Sequence, residues 1–259
     1  MIDRPQSPFP ERRELLVVND ADRMLLNTPY VTRALLEAAS RVLEVETAET
    51  SALIDLRREK GQTTQIHDIF SDFGKTKLDD LYRTFVLDAD PTKICYPDVP
   101  DYLEFLDASP DIEHMILTYG PEQQQEAKLA AAGLSTRAYR ITDTPEKAPV
   151  IAAWKLETAR RVRPVVSSTS PSLDIEALNV VLADDKERAF SGKGSDIGGF
   201  VVKRTTEYPN IVPGLVKLPE GTVLVHGLEE IMQWLRLPAQ LDRQPMTQVF
   251  WKQATHPTS

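Results

Sequence analysis

The sequence predicts an α/β fold, a parallel sheet flanked by helices, with a helical insertion near its start. Three observations predict it. Short runs rich in leucine and β-branched residues recur at 14–19, 115–118, 138–141, 180–183, 200–202 and 222–225, and apolar runs of this length read as buried strands. Helical stretches separate several of them, and such alternation is the pattern of a parallel sheet. The first two runs are too far apart for a simple crossover, with about 29–96 lying between them.

That intervening stretch reads as a small helical bundle. Thr28 and Pro29 resemble an N-cap and a first-turn proline, after which Val31, Leu35, Ala39 and Val42 share one helical face. A second helix over 51–60 stops near Gly61. A third presents Ile66, Ile69, Phe70 and Phe73 before Gly74, and a fourth presents Leu78, Leu81, Tyr82 and Phe85. Spacings of three and four are what any core-facing helix requires, so these stripes are packing rather than a cofactor site. After the second strand, 121–132 begins with a proline and ends at Gly133; after the third, 149–162 is helical. Residues 164–172, PVVSSTSPS, form a loop leading back to the sheet, and the tail after Leu237 is weakly patterned.

Composition excludes several classes. With 30 basic and 39 acidic side chains in 259 residues the net charge is −9, so no global positive field attracts nucleic acid or an anionic membrane. The longest apolar runs are four to five residues, against the roughly 20 that span a bilayer. The first fourteen residues mix three prolines with charges and do not resemble a signal peptide. A single cysteine, Cys95, leaves no intrachain disulfide and no multi-thiolate zinc site; a reducing, cytoplasmic setting is expected.

In parallel sheets ligands sit at the carboxyl ends of the strands, so polar residues there are the first candidates. The first strand ends in Asp20 and Asp22. Residues two apart can point the same way at a strand end, placing one carboxylate to attack and its neighbour to exchange a proton; the same string could equally be a solvated turn. The second strand ends in Thr118-Tyr119-Gly120-Pro121, a hydroxyl and backbone N–H groups at a helix start, suited to phosphate, though a threonine there is otherwise an ordinary N-cap. Lys147 follows the third strand on a loop ahead of the next helix, and Asp184-Asp185 end the fourth, an adjacent acidic pair suited to oxygen-ligated Mg2+; ordinary solvated surface charge is the alternative reading of all three. His67 and Cys95 lack partners at metal-ligand or nucleophile spacing and read as structural. The basic cluster Arg57, Arg58 and Lys60 could grip an anion or simply be solvated, and 192–195, GKGS, lacks full Walker spacing.

Taken in order, these four strand ends resemble the haloacid dehalogenase-like superfamily over about 14–235. Asp20-Ala21-Asp22 is similar to its first motif, Thr118 to its second, Lys147 to its third and Asp184-Asp185 to its acidic fourth; Lys155 is a rival for the lysine. The resemblance implies a Rossmann-like core over 14–28 and 97–237 with a small all-helical cap domain over 29–96; residue patterning leaves a flexible segment over 1–13 and a tail over 238–259 outside it. The resemblance also implies a Mg2+-dependent phosphatase acting on a small phosphorylated metabolite. Asp20 would be the nucleophile and Asp22 the acid and base. Thr118 and Lys147 would bind the phosphoryl oxygens, and Asp20, Asp22 (through its carbonyl), Asp184 and Asp185 would hold the metal. The chain departs from the family pattern at Asn19, Arg23 and Met24, the last two standing where many members have Gly-Thr. A phosphomutase, a dehalogenase or a non-catalytic scaffold of the same fold are the alternatives.

Overall fold

A computed structural model describes residues 15–59, 65–159, 179–194, 197–209 and 217–236. The termini, Lys60, Gly61, the 164–172 loop and Ser195 lie outside the described residues, as do the side chains of Arg57, Arg58 and Lys155.

Among the described residues six parallel strands form one sheet: β1 (Leu15–Asn19), β2 (Ile112–Tyr119), β3 (Tyr139–Thr142), β4 (Asn179–Asp184), β5 (Ile197–Val202) and β6 (Thr222–Val225). Their order is β3-β2-β1-β4-β5-β6. The chain therefore builds outward from β1 on one side, then returns to build outward from β4 on the other. This reversal opens a crevice at the carboxyl ends of β1 and β4. Register makes the crevice specific, because Asn19 pairs with Ala183 and the Asp20 N–H donates to the Ala183 carbonyl at 2.8 Å. Asp20 and Asp184 thus leave the sheet at the same level.

Alternate side chains of each strand serve opposite faces. Leu16 and Val18 join Leu117, Val180 and Leu182 against Ile151 and Trp154 of α8 (Lys147–Ala159), while Val17 and Val181 face the core shared with α6 (Val99–Ala108) and α9 (Leu228–Arg236). The apolar run is interrupted by Asn19 for a reason visible only here. Asn19 is fully buried, accepts a hydrogen bond from the Tyr102 hydroxyl at 2.8 Å and donates to the Met115 carbonyl at 3.4 Å, so both its polar atoms have protein partners that offset the loss of water.

Between β1 and β2, ahead of α6, lie α1 (Thr28–Leu43), α2 (Thr47–Glu59), α3 (Ile66–Phe70) with a 3-10 turn (Ser71–Phe73), α4 (Lys75–Asp88) and α5 (Pro91–Ile94). The predicted stripes are buried at Val31, Leu35, Ala39, Ile66, Phe70, Leu78, Leu81, Tyr82 and Phe85, whereas Phe73 is exposed. Several elements begin or end a few residues from expectation, α2 at Thr47 and β2 at Ile112 among them, and two such differences bear on the site. The N-cap of α1 is Asn27, whose side chain accepts from the Tyr30 N–H, so Thr28 is released for another role. Lys147 is the first residue of α8 rather than a loop residue; Pro149 is tolerated because first-turn N–H groups have no intrahelical partner. Gly133, at φ +68°, ends α7 (Glu122–Ala131) in the left-handed region glycine enters freely.

Gly199 on β5 is needed for space. A Cβ there would lie 2.2 Å from the Phe190 ring, which is itself buried. Gly199→Ala is expected to destabilise the chain by roughly 1–3 kcal/mol through overpacking, read as a lower midpoint in urea; an unchanged midpoint would show that the ring moves without cost.

Candidate active site

The predicted acids converge on the crevice. A cavity of about 420 Å³ is lined by Asp20, Asp22, Lys147, Asp184 and Asp185, with Lys128, Lys186 and Arg188 from the core and Val31, Leu35, Gln65 and Ile66 from the insertion. Asp20, Lys147, Asp184 and Asp185 are all at most 5% exposed. The Lys147 ammonium bridges two of the carboxylates, donating to Asp20 Oδ1 at 2.5 Å and to Asp184 Oδ2 at 2.6 Å. The first residue of α8 therefore carries the cation that allows two buried acids from neighbouring strands to sit together.

One ammonium does not balance the site. Burial pushes the Asp20 carboxyl up to about 7; the charges of Asp184 and Asp22 add to the rise, and Lys147 opposes it. Asp184 and Asp185 are raised as well, again by burial first and then by a neighbouring carboxylate, Asp185 for the one and Asp20 for the other. Burial pulls Lys147 downward, but the two carboxylates outweigh it and hold the ammonium above the ordinary lysine range. The crowding of Asp20, Asp184 and Asp185 around Lys147 is what a divalent cation relieves. One carboxylate oxygen from each of Asp20, Asp184 and Asp185 can be chosen so that all three lie within 4.8 Å of one another. Asp185 Oδ1 is buried without any hydrogen-bond partner. An all-oxygen set with one unsatisfied ligand atom fits Mg2+.

Asp22 sits apart from this cluster. Its Oδ2 accepts from Lys128 at 2.6 Å and its Oδ1 from the Thr28 hydroxyl at 3.3 Å. Burial works to raise its carboxyl, yet Lys128 prevails and holds it below the usual range. Thr118 is fully buried at the end of β2, but its hydroxyl donates to Gln125 Oε1 at 3.0 Å and does not line the cavity.

Residues that sequence reasoning passed over come mostly from α7. Gln124, Gln125 and Lys128 are buried on this helix. Gln125 holds Thr118, Lys128 holds Asp22, and Gln124 reaches the insertion, accepting from the His67 N–H and donating to Gln65 Oε1, both at 2.8 Å. Their signal was polar residues spaced i, i+1 and i+4 on one helix face, which also describes a solvated surface. Gly120 permits the approach: at φ +140° it stands where a Cβ would lie 2.6 Å from the Gln125 amide and 3.0 Å from that of Gln65. Of the two residues read as structural, His67 stacks beside Tyr82 with its Nδ1 3.0 Å from the hydroxyl, and burial pushes the Cys95 thiol up to about 11, away from nucleophile chemistry.

No protein-family model and no curated protein matches the chain. Solved structures do. A haloacid dehalogenase-like hydrolase of Burkholderia xenovorans LB400 superposes with a TM-score of 0.55 at 18% identity, covering 85% of this chain and 98% of that one. The magnesium-bound HAD-hydrolase YfnB of Bacillus subtilis superposes at 0.51 and 13% identity, covering 87% and 100%. The chain has the haloacid dehalogenase-like fold. Within that fold Asp20, Thr118, Lys147 and the Asp184-Asp185 pair stand at the carboxyl ends of β1 and β2, at the start of α8 and at the end of β4. Among the described residues, no helix is long and apolar enough to cross a membrane.

Proposed function

We propose that this chain is a Mg2+-dependent phosphatase that hydrolyses a small phosphate monoester through an aspartyl phosphate on Asp20. The observation that carries the reading is the Asp20–Lys147–Asp184 bridge at 2.5 and 2.6 Å on the wall of one cavity, with Asp22 two residues from Asp20 on the same wall.

A carboxylate oxygen of Asp20 attacks phosphorus, the ester P–O bond breaks, and the departing oxygen takes a proton from Asp22. Water then attacks the phosphorus, gives its proton to Asp22, and the P–O bond to Asp20 breaks to release phosphate. Lys128 keeps Asp22 ionised in the free chain, as the base of the second step requires; a phosphoryl dianion arriving beside Asp22 favours the protonated form needed for the first. Lys147 meets the phosphoryl oxygens and the charge that accumulates on them, and Thr118 contributes a hydroxyl by turning from Gln125. Asp20, Asp184, Asp185 and the Asp22 carbonyl would hold Mg2+, which when bound screens Asp20 from the incoming anion. The helices over 29–96 act as the cap, with Gln65, Ile66, Val31 and Leu35 limiting the substrate to a small metabolite and excluding water. A cytoplasmic setting, where phosphorylated metabolites reside, belongs to the same reading.

The test is phosphate release from a panel of sugar phosphates, nucleotides and short phospho-acids, with Mg2+ and with EDTA. Turnover of at least one ester that EDTA abolishes is expected. No release from any ester, alongside a melting temperature raised by phosphate, would assign the fold a binding role instead.

A further inference from the structure

Resting on the Mg2+ site of that reading, we infer that Tyr208 and Arg23 form a clamp that orients Asp185 toward the metal. Three observations meet at this point. Arg23 is a non-glycine residue at φ +60°, a left-handed conformation that is strained for a residue with a Cβ and that clusters at functional sites. Its guanidinium donates from Nη1 to the Tyr208 hydroxyl at 2.8 Å, and that hydroxyl donates to Asp185 Oδ2 at 2.8 Å. The other oxygen, Asp185 Oδ1, is buried and unpartnered, and Asp185 is one of the three acids whose oxygens gather within 4.8 Å.

The geometry divides the work between the two oxygens. Tyr208 occupies Oδ2, so the carboxylate can no longer rotate to satisfy Oδ1 with a protein donor. Arg23, with Nη1 3.9 Å from Asp185 Oδ2, balances charge without displacing the phenol, and its Nε lies 3.8 Å from Glu207 Oε2. Lys203 completes the pocket: its ammonium lies 4.6 Å over the Tyr208 ring and donates to the Asp185 carbonyl. Asp185 is therefore fixed at main chain and side chain alike, with a single oxygen left for the ion. Outer partners of this kind preset a ligand, and their loss typically costs about 10–100-fold in metal affinity.

The experiment is Mg2+ binding by calorimetry on the wild-type chain, Tyr208→Phe and Asp185→Asn, together with melting temperatures in EDTA. Tyr208→Phe removes only the hydroxyl. It is expected to weaken Mg2+ about 10-fold or more, with a fall of a few degrees in the EDTA melting temperature because Asp185 Oδ2 loses its hydroxyl donor. Wild-type affinity in Tyr208→Phe would overturn the clamp, as would a lower melting temperature with unchanged affinity, which marks a purely structural contact. No Mg2+ binding by the wild-type chain would overturn the metal site and the clamp with it. Wild-type Mg2+ affinity in Asp185→Asn would overturn the clamp and leave a metal site on Asp20 and Asp184.

Discussion

Asp20→Asn is expected to abolish ester hydrolysis, with kcat falling on the order of 10^4-fold or more, as befits loss of a covalent nucleophile. The size follows from the site. Asp22 is held by Lys128 and Thr28 away from the cluster, and Asp184 shares Lys147 and the Lys186 N–H, so neither takes over the attack. The fold should not suffer. Asp20 is a fully buried carboxylate whose pKa stands near 7 because burial and like charges disfavour its ionised form, and an amide of the same shape relieves that strain. The variant should therefore melt no lower than wild type in EDTA, and Mg2+ should raise its melting temperature less. Phosphate release and thermal melts on one preparation check both, and retention of wild-type kcat would remove Asp20 from the chemistry.

The second large effect concerns Lys147. Lys147→Met takes away an ammonium that touches both Asp20 and Asp184. Removing one partner of a buried ionic group typically costs roughly 3–5 kcal/mol, because the remaining charge stays desolvated; for a chain of this size that is a fall in melting temperature on the order of 10 °C. The dependence on pH has a definite sign. Asp20 and Asp184 have folded pKa values raised above their unfolded ones, so folding takes up protons and their unfavourable contribution grows as pH rises from about 4 to about 7. Lys147 is raised in the folded state, so its stabilisation is intact throughout that range. The deficit of Lys147→Met is then greatest above pH 7 and shrinks toward pH 5, where the carboxyls protonate, and Mg2+ should recover part of it. Melts of both proteins from pH 5 to pH 8, with and without Mg2+, test this; a deficit that grows on acidification would contradict the assignment.

What could be read in advance was local. Leu15 to Asn19 had to be a buried strand because every side chain in it is apolar until Asn19, and the acids that follow had to lie at its carboxyl end. The stripes through Val31, Leu35 and Ala39 and through Leu78, Leu81 and Tyr82 needed only helical periodicity, and both are buried. Boundaries were less legible. Asn27 and Thr28 are both good caps, and only the fold chose Asn27, freeing Thr28 for Asp22.

Tertiary structure alone decided the partners. Lys128 lies 106 residues from Asp22, Tyr102 83 from Asn19, and Tyr208 185 from Arg23. No periodicity or spacing reports such pairs, since they depend on the strand order β3-β2-β1-β4-β5-β6 and on the helix that follows each strand. By itself, then, the sequence determined which residues would stand at the strand ends, because hydrophobic patterning and turn chemistry act within a few residues. Which cation meets which carboxylate, why Asn19 is tolerated in a core strand and what Arg23 does in a left-handed turn were settled by long-range packing, where burial makes every charge answer to whatever group lies within a few ångströms.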